Sequence, residues 1–178
     1  MKTTKIEWTD KTWNPITGCT KFSAGCAHCY AETMSRRLHA MGAEKYTNEF
    51  KLTLHEDCLK EPFTWKKAHN IFVCSMSDIF HEDVPFEFVD RIMQTILQSP
   101  QHRYQILTKR AARMAEYFST RQVPANVWIG VTVEAESSKP RIDRLRKIPA
   151  TVHFLSCEPL LESLGKLNLD GIEWVIVG

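Results

Sequence analysis

Residues 104–131, YQILTKRAARMAEYFSTRQVPANVWIGV, spell out one strand–helix–strand unit. The segment opens with the apolar run Tyr104–Leu107 and closes with Val127–Val131, both short and rich in β-branched and aromatic residues. Continuous apolar runs of this length suit strands buried on both faces of a parallel sheet. Between them Ala111, Met114, Ala115 and Phe118 recur at helical spacing. Two parallel strands joined by a helix form a right-handed crossover, the building block of α/β sheets.

Runs of the same kind lie on either side, at Ile71–Cys74, Val152–Leu155 and Trp174–Val177. The starts of the five runs are 33, 23, 25 and 22 residues apart. Helical stripes accompany them. Val89, Ile92, Met93, Ile96 and Leu97 form one, with Asp83 as N-cap and Pro100 as stop; Ile142, Leu145 and Ile148 form another, entered through Pro140. A third stripe, Tyr30, Met34, Leu38 and Met41, ends at Gly42 and is expected to face the core. A further strand is expected within Ile6–Thr17. The fold class is therefore α/β, a partial (β/α)6 TIM-like barrel of parallel strands in one domain, 1–178, with a doubly wound sheet as the alternative. The last run stops at Val177-Gly178, where a following helix is expected. Either the chain is truncated there or another subunit covers that strand.

Composition narrows the function classes without choosing one. The chain has 178 residues, 43% apolar and 25% charged, with net charge +2. That length suits one domain with a substantial core. So small a net charge demands neither a nucleic-acid nor a membrane partner. The amino-terminal stretch is polar and no run of about 18 apolar residues occurs, so a cytoplasmic location without membrane contact is expected.

The most chemically pointed segment is the loop 18–30, GCTKFSAGCAHCY, in which Cys19, Cys26 and Cys29 read C-x6-C-x2-C. Thiolates at this spacing form a soft-metal ligand set, and Gly18 and Gly25 permit the tight backbone path. A structural zinc ion needs a fourth ligand, for which His28, His39 and Cys58 are candidates without a familiar spacing. A 4Fe-4S cluster held by three cysteines keeps one iron open for a small molecule. Cys58, Cys74 and Cys157 read as packing thiols, and reduced cysteines fit a chain of this length better than disulfides.

In parallel α/β folds ligands bind at the carboxyl ends of the strands. Those positions here are polar: Ser75, Ser77 and Asp78 after the first of the five runs; Thr108, Lys109 and Arg110 after the second; Thr132 and Glu134 after the third; Ser156 and Glu158 after the fourth. Singly such residues are caps or turns as often as ligands. Four strands delivering them to one rim suggests a site.

The cysteine loop, its continuation CYAE and the βα units after it resemble the radical S-adenosylmethionine superfamily. More closely, TWNPITGCTKFSAGCAHCYAE, IFVCSMSDIFHEDVP, YQILTKR, VWIGVTVE, FLSCEPLL and WVIVG are similar to the phage-type three-cysteine-motif family of phages and bacteria. The resemblance implies a 4Fe-4S cluster on Cys19, Cys26 and Cys29, with S-adenosylmethionine on the fourth iron. It implies reductive cleavage to methionine and a 5′-deoxyadenosyl radical that takes hydrogen from a substrate, and an electron donor as partner. The commonest superfamily loop is C-x3-C-x2-C, so the first interval here is longer, and His28 stands where an aromatic usually precedes the third cysteine. The similar family continues past WVIVG, which implies that the carboxyl-terminal part of its domain is missing from this chain.

By this reading Ser75, Ser77 and Asp78 contact the methionine amino group, and Asp78→Ala abolishes cofactor binding while sparing the cluster. Thr132, Glu134, Ser156 and Glu158 are candidates for ribose or carboxylate contacts. Thr108, Lys109 and Arg110, with Arg113 a turn later, are candidates for an anionic group on substrate or cofactor. Arg141, Arg144, Arg146 and Lys147 form a second basic cluster, read as solvated surface; nucleic acid becomes a credible substrate if the two clusters share a face. Trp8 and Trp13 are expected to shield the site or close the barrel bottom. The competing readings are a zinc-stabilised α/β module that binds nucleic acid, and an inactive truncated remnant.

Overall fold

The described residues form eight strands: β1 (Lys11–Trp13), β2 (Ile16–Thr17), β3 (Thr53–Leu54), β4 (Asn70–Val73), β5 (Arg103–Thr108), β6 (Val127–Thr132), β7 (Val152–Cys157) and β8 (Trp174–Val177). The computed structural model describes residues 4–178; the first three residues of the polar amino-terminal stretch lie outside it. Six strands make one sheet in the order β1-β4-β5-β6-β7-β8, every neighbouring pair parallel. β1 is the strand expected within Ile6–Thr17. Strand order follows chain order with no reversal, the winding of a barrel rather than of a doubly wound sheet. β1 and β8 remain edges, so the barrel is partial and open among the described residues. β2 and β3 pair antiparallel in a small ladder that periodicity did not reveal.

The helices are α1 (Tyr30–Ala40), α2 (Phe86–Leu97), α3 (Ala111–Phe118) and α4 (Pro140–Arg146). Successive strand residues face opposite sides of a sheet. One set, including Ile71, Val73, Tyr104, Ile106, Val127, Ile129 and Val131, joins the main core with Ile92 and Ile96 of α2, Met114 of α3 and Leu145 of α4. The alternate set lines the concave face. There Trp8 lies against Phe72, Trp174 and Phe154, with ring centroids 4.7, 5.9 and 6.5 Å away. Gln105 on β5 donates a hydrogen bond to the Trp8 carbonyl at 3.1 Å. Gly130 makes room for this layer, since a Cβ there would lie 2.7 Å from the Phe154 ring. Trp13 instead sits in the core and donates its indole N–H to the Cys58 carbonyl at 2.8 Å.

Two helix expectations need correction. α2 starts after Pro85, whose φ of −61° suits a helix entry, while the Asp83 N–H is engaged by His81 Nδ1 at 3.1 Å. Its stripe is buried except Leu97, exposed in the last turn. The α1 stripe is rotated away from the core: Tyr30, Met34 and Met41 are exposed, and the helix buries only Ala31 and Ser35. α1 packs on the segment 43–50 rather than on the sheet, which admits small side chains at the contact. The Ser35 hydroxyl there donates to the Glu49 carbonyl at 2.5 Å. All six cysteines are free, and Cys58, Cys74 and Cys157 are buried. Among the described residues no helix is long and apolar enough to cross a membrane.

Candidate functional site

At the carboxyl ends of the strands lies a cavity of about 610 Å³. That is within the range of roughly 300–1,000 Å³ usual for small-molecule sites. Cys19, Cys26 and Cys29 all line it, and so does every other residue expected at the strand ends except Glu134. Ile6, Trp8, Phe72, Leu107 and Ile176 supply its apolar wall. β4 reaches this rim through Cys74, whose φ of +59° is strained for a side-chain-bearing residue. The turn carries Ser75–Asp78 across the top of the sheet.

The cysteine loop is fastened before it enters the cavity. Gly18, at φ +79°, donates its N–H to the Met76 carbonyl at 3.0 Å, and a Cβ there would run into the Lys51 carbonyl. The Ser77 hydroxyl donates to the Gly18 carbonyl at 2.6 Å. The Asn14 side-chain oxygen accepts from the Ser75 hydroxyl at 3.2 Å and the Met76 N–H at 3.1 Å.

Two buried arginine–carboxylate pairs hold the loop from either side. On the Cys19 side, Asp78 accepts from the Thr108 hydroxyl at 2.7 Å, the Phe80 N–H at 3.0 Å, the Lys109 N–H at 3.1 Å and Arg110 at 3.3 Å. Arg110 also donates to Glu82 at 2.8 Å, to the Thr20 carbonyl at 3.2 Å and to Cys19 Sγ at 3.5 Å. On the far side, Glu134 is fully buried and accepts from Arg141 at 2.7 Å and from the Ser23 hydroxyl. The Phe22 ring bridges the pairs, 4.9 Å from the Arg110 guanidinium and 5.7 Å from that of Arg141.

The electrostatics follow from this packing. Burial pushes the Cys19 thiol up to about 11, against the pull of Arg110. Burial alone would raise the Glu134 carboxyl, but Ser23, Lys109 and Arg141 outweigh it and hold it below the usual carboxylate value. Lys109 is lowered by burial, with Glu134 and Cys26 pulling the other way.

The expected residues thus fall into two groups. The side chains of Ser75, Ser77, Asp78, Thr108, Arg110 and Glu134 are spent on internal bonds that hold the loop and strand ends. Lys109, Thr132, Ser156 and Glu158 line the cavity without a side-chain hydrogen bond among the described residues. Arg141, read from sequence as solvated, is buried because its guanidinium closes the Glu134 pair. Arg113 donates to the Val84 carbonyl at 2.8 Å, and Arg146 is tied to Asp143 and to the carbonyls of Asn168 and Asp170. Arg110, Arg113, Arg141 and Arg146 are therefore bonded inside the fold, while Arg144 and Lys147 are exposed.

Asn14 and Ser23 are site residues that sequence reasoning missed; each acts only through a partner distant in the chain. Among the described residues no three His, Cys, Asp or Glu side chains stand close enough to hold a single metal ion. His28 is exposed, and His39 Nδ1 lies 3.0 Å from the Tyr46 carbonyl. All three cysteines of the loop line the cavity.

No curated protein and no solved structure gives a match to the chain. A family model, Protein of unknown function (DUF5131), matches residues 3–178, and the chain belongs to that family.

Proposed function

We propose that this protein is a radical S-adenosylmethionine-type iron–sulfur protein, with Cys19, Cys26 and Cys29 as ligands of a 4Fe-4S cluster. The observation that carries the reading is the convergence of these three thiols with Lys109, Thr132, Ser156 and Glu158 on one cavity. A 4Fe-4S cluster held by three cysteines keeps one iron open for a small molecule, which suits three cysteines on the wall of one cavity. With cluster and S-adenosylmethionine bound, the chemistry supplied is one-electron reductive cleavage of the sulfonium and hydrogen abstraction from a substrate; the electron comes from a separate donor.

The chain's own part is binding, orientation and exclusion of water. Lys109 offers a half-buried cation to a carboxylate or phosphate. Thr132 and Ser156 present hydroxyls from neighbouring strand ends, and Glu158 a carboxylate at the rim. Trp8, Phe72 and Phe154 close the concave face beneath and keep the lower side dry. Asp78 acts as an anchor for Arg110 rather than as a ligand, because both of its oxygens are filled by internal donors.

The test is electron paramagnetic resonance on anaerobically reconstituted, dithionite-reduced protein, with and without S-adenosylmethionine. A reduced 4Fe-4S signal that changes on adding S-adenosylmethionine supports the reading. Tightly bound zinc and no cluster signal overturns it.

A further inference from the structure

Arg110 is only 2% exposed, and its guanidinium is committed on every side. Nε donates to Glu82 at 2.8 Å, Nη2 to the Thr20 carbonyl and hydroxyl at 3.2 Å each, and Nη1 to Asp78 at 3.3 Å and Cys19 Sγ at 3.5 Å. Its backbone N–H donates to the Thr108 hydroxyl at 2.9 Å, and the Phe22 ring covers the planar head. The two carboxylates alone would brace a buried arginine; the bond to sulfur is additional.

Cys19 is the thiol that this guanidinium meets, at 3.5 Å. As a thiol it donates to the Thr20 carbonyl at 3.4 Å. The same carbonyl also accepts from Arg110 at 3.2 Å. As a cluster ligand, the Cys19 sulfur would keep the Arg110 N–H, a charge-assisted donor. Cys26 and Cys29 have no such donor among the described residues. The three ligands are thus unequal: Cys19 takes a hydrogen bond from Arg110, whereas Cys26 meets Lys109 through charge alone.

We propose that Arg110 is a positioning residue that fixes Cys19 as a ligand and raises the reduction potential of the cluster through its N–H···S bond and its charge. The inference rests on the cluster reading above. Hydrogen bonds to the cluster sulfurs and local net charge set such potentials, and a donor cation favours the reduced, more negative state. Asp78 and Glu82 hold the guanidinium in place, and removing Arg110 leaves their two carboxylates beside the cluster uncompensated.

The experiment compares the full chain with its Arg110→Gln and Arg110→Lys variants after anaerobic reconstitution. Iron and sulfide content is measured first, then the midpoint potential by redox titration followed with electron paramagnetic resonance. The expected result is a more negative midpoint in Arg110→Gln and an intermediate one in Arg110→Lys, which keeps the charge but loses the fork. If the glutamine variant does not fold, the lysine variant decides alone by the same shift. Loaded variants with the midpoint of the unmodified protein overturn the inference and leave the cluster reading standing. Failure of the unmodified protein to take up a cluster overturns both.

Discussion

Gly130 and Gly18 show how a single residue serves the site at two different ranges. At Gly130 the constraint is close approach, because the missing Cβ leaves space for the Phe154 ring in the concave layer. Gly130→Ala is expected to destabilise the protein by about 1–3 kcal/mol, the usual cost of overpacking. A lowered urea midpoint with unchanged slope is the expected measurement, and an unaltered midpoint would show that the ring yields freely. At Gly18 the constraint is both a left-handed backbone and the Lys51 carbonyl where a Cβ would stand. Its place beside the first cysteine marked Gly18 as a turn glycine in the sequence. Nothing local marked Gly130, since the ring that needs the space belongs to the next strand.

The cysteine loop owes its position to side chains from other elements. Arg110, at the start of α3, fastens one side, and Arg141, from α4, fastens the other through Glu134 at the end of β6. Arg141→Met leaves the Glu134 carboxylate buried and unpaired, a loss of about 3–5 kcal/mol. Lowered thermal stability and faster tryptic cleavage after Lys21 in the metal-free protein are the expected readouts. Adding Glu134→Met should recover much of the stability, because the unpaired charge is then gone. Cleavage at the parental rate in Arg141→Met would exclude Glu134 and Arg141 as the clasp. The same scale explains the misreading of α1. Its apolar stripe resembles a core face by spacing, but the helix seats Ala31 and Ser35 on residues 43–50 and leaves Met34 and Met41 outside. Periodicity reports that a helix has a face, not which body it will meet.

Across the whole molecule the core ties stability to alkaline pH through buried tyrosines. Burial raises Tyr104 to about 12, with its hydroxyl 2.6 Å from that of Ser99, and burial together with Asp90 raises Tyr117 further. A raised value means that the fold favours the neutral phenol. The stabilisation is complete below the ordinary tyrosine value of 10.0 and is lost as pH rises from there through the folded values. Tyrosinate absorbance followed with circular dichroism should show these two groups ionising together with loss of structure. Smooth ionisation of both near the ordinary value in a folded protein would contradict the burial argument.

The sequence by itself determined the α/β class, the strand runs, the strand ends that form the rim and the loop that carries three of the six cysteines. Those properties are written in local spacing: continuous apolar runs, helical stripes and three thiols on a short loop. The strand order, and with it the choice of a partial barrel over a doubly wound sheet, was decided by tertiary structure, because periodicity is the same in both. So was the division of the rim residues into free side chains and braces. A serine, aspartate or arginine after a strand has one sequence pattern whether it meets a ligand or a neighbour. Only the approach of Asp78 to Arg110, and of Glu134 to Arg141, separates the side chains that hold the loop from Lys109, Thr132, Ser156 and Glu158, which are left facing the cavity.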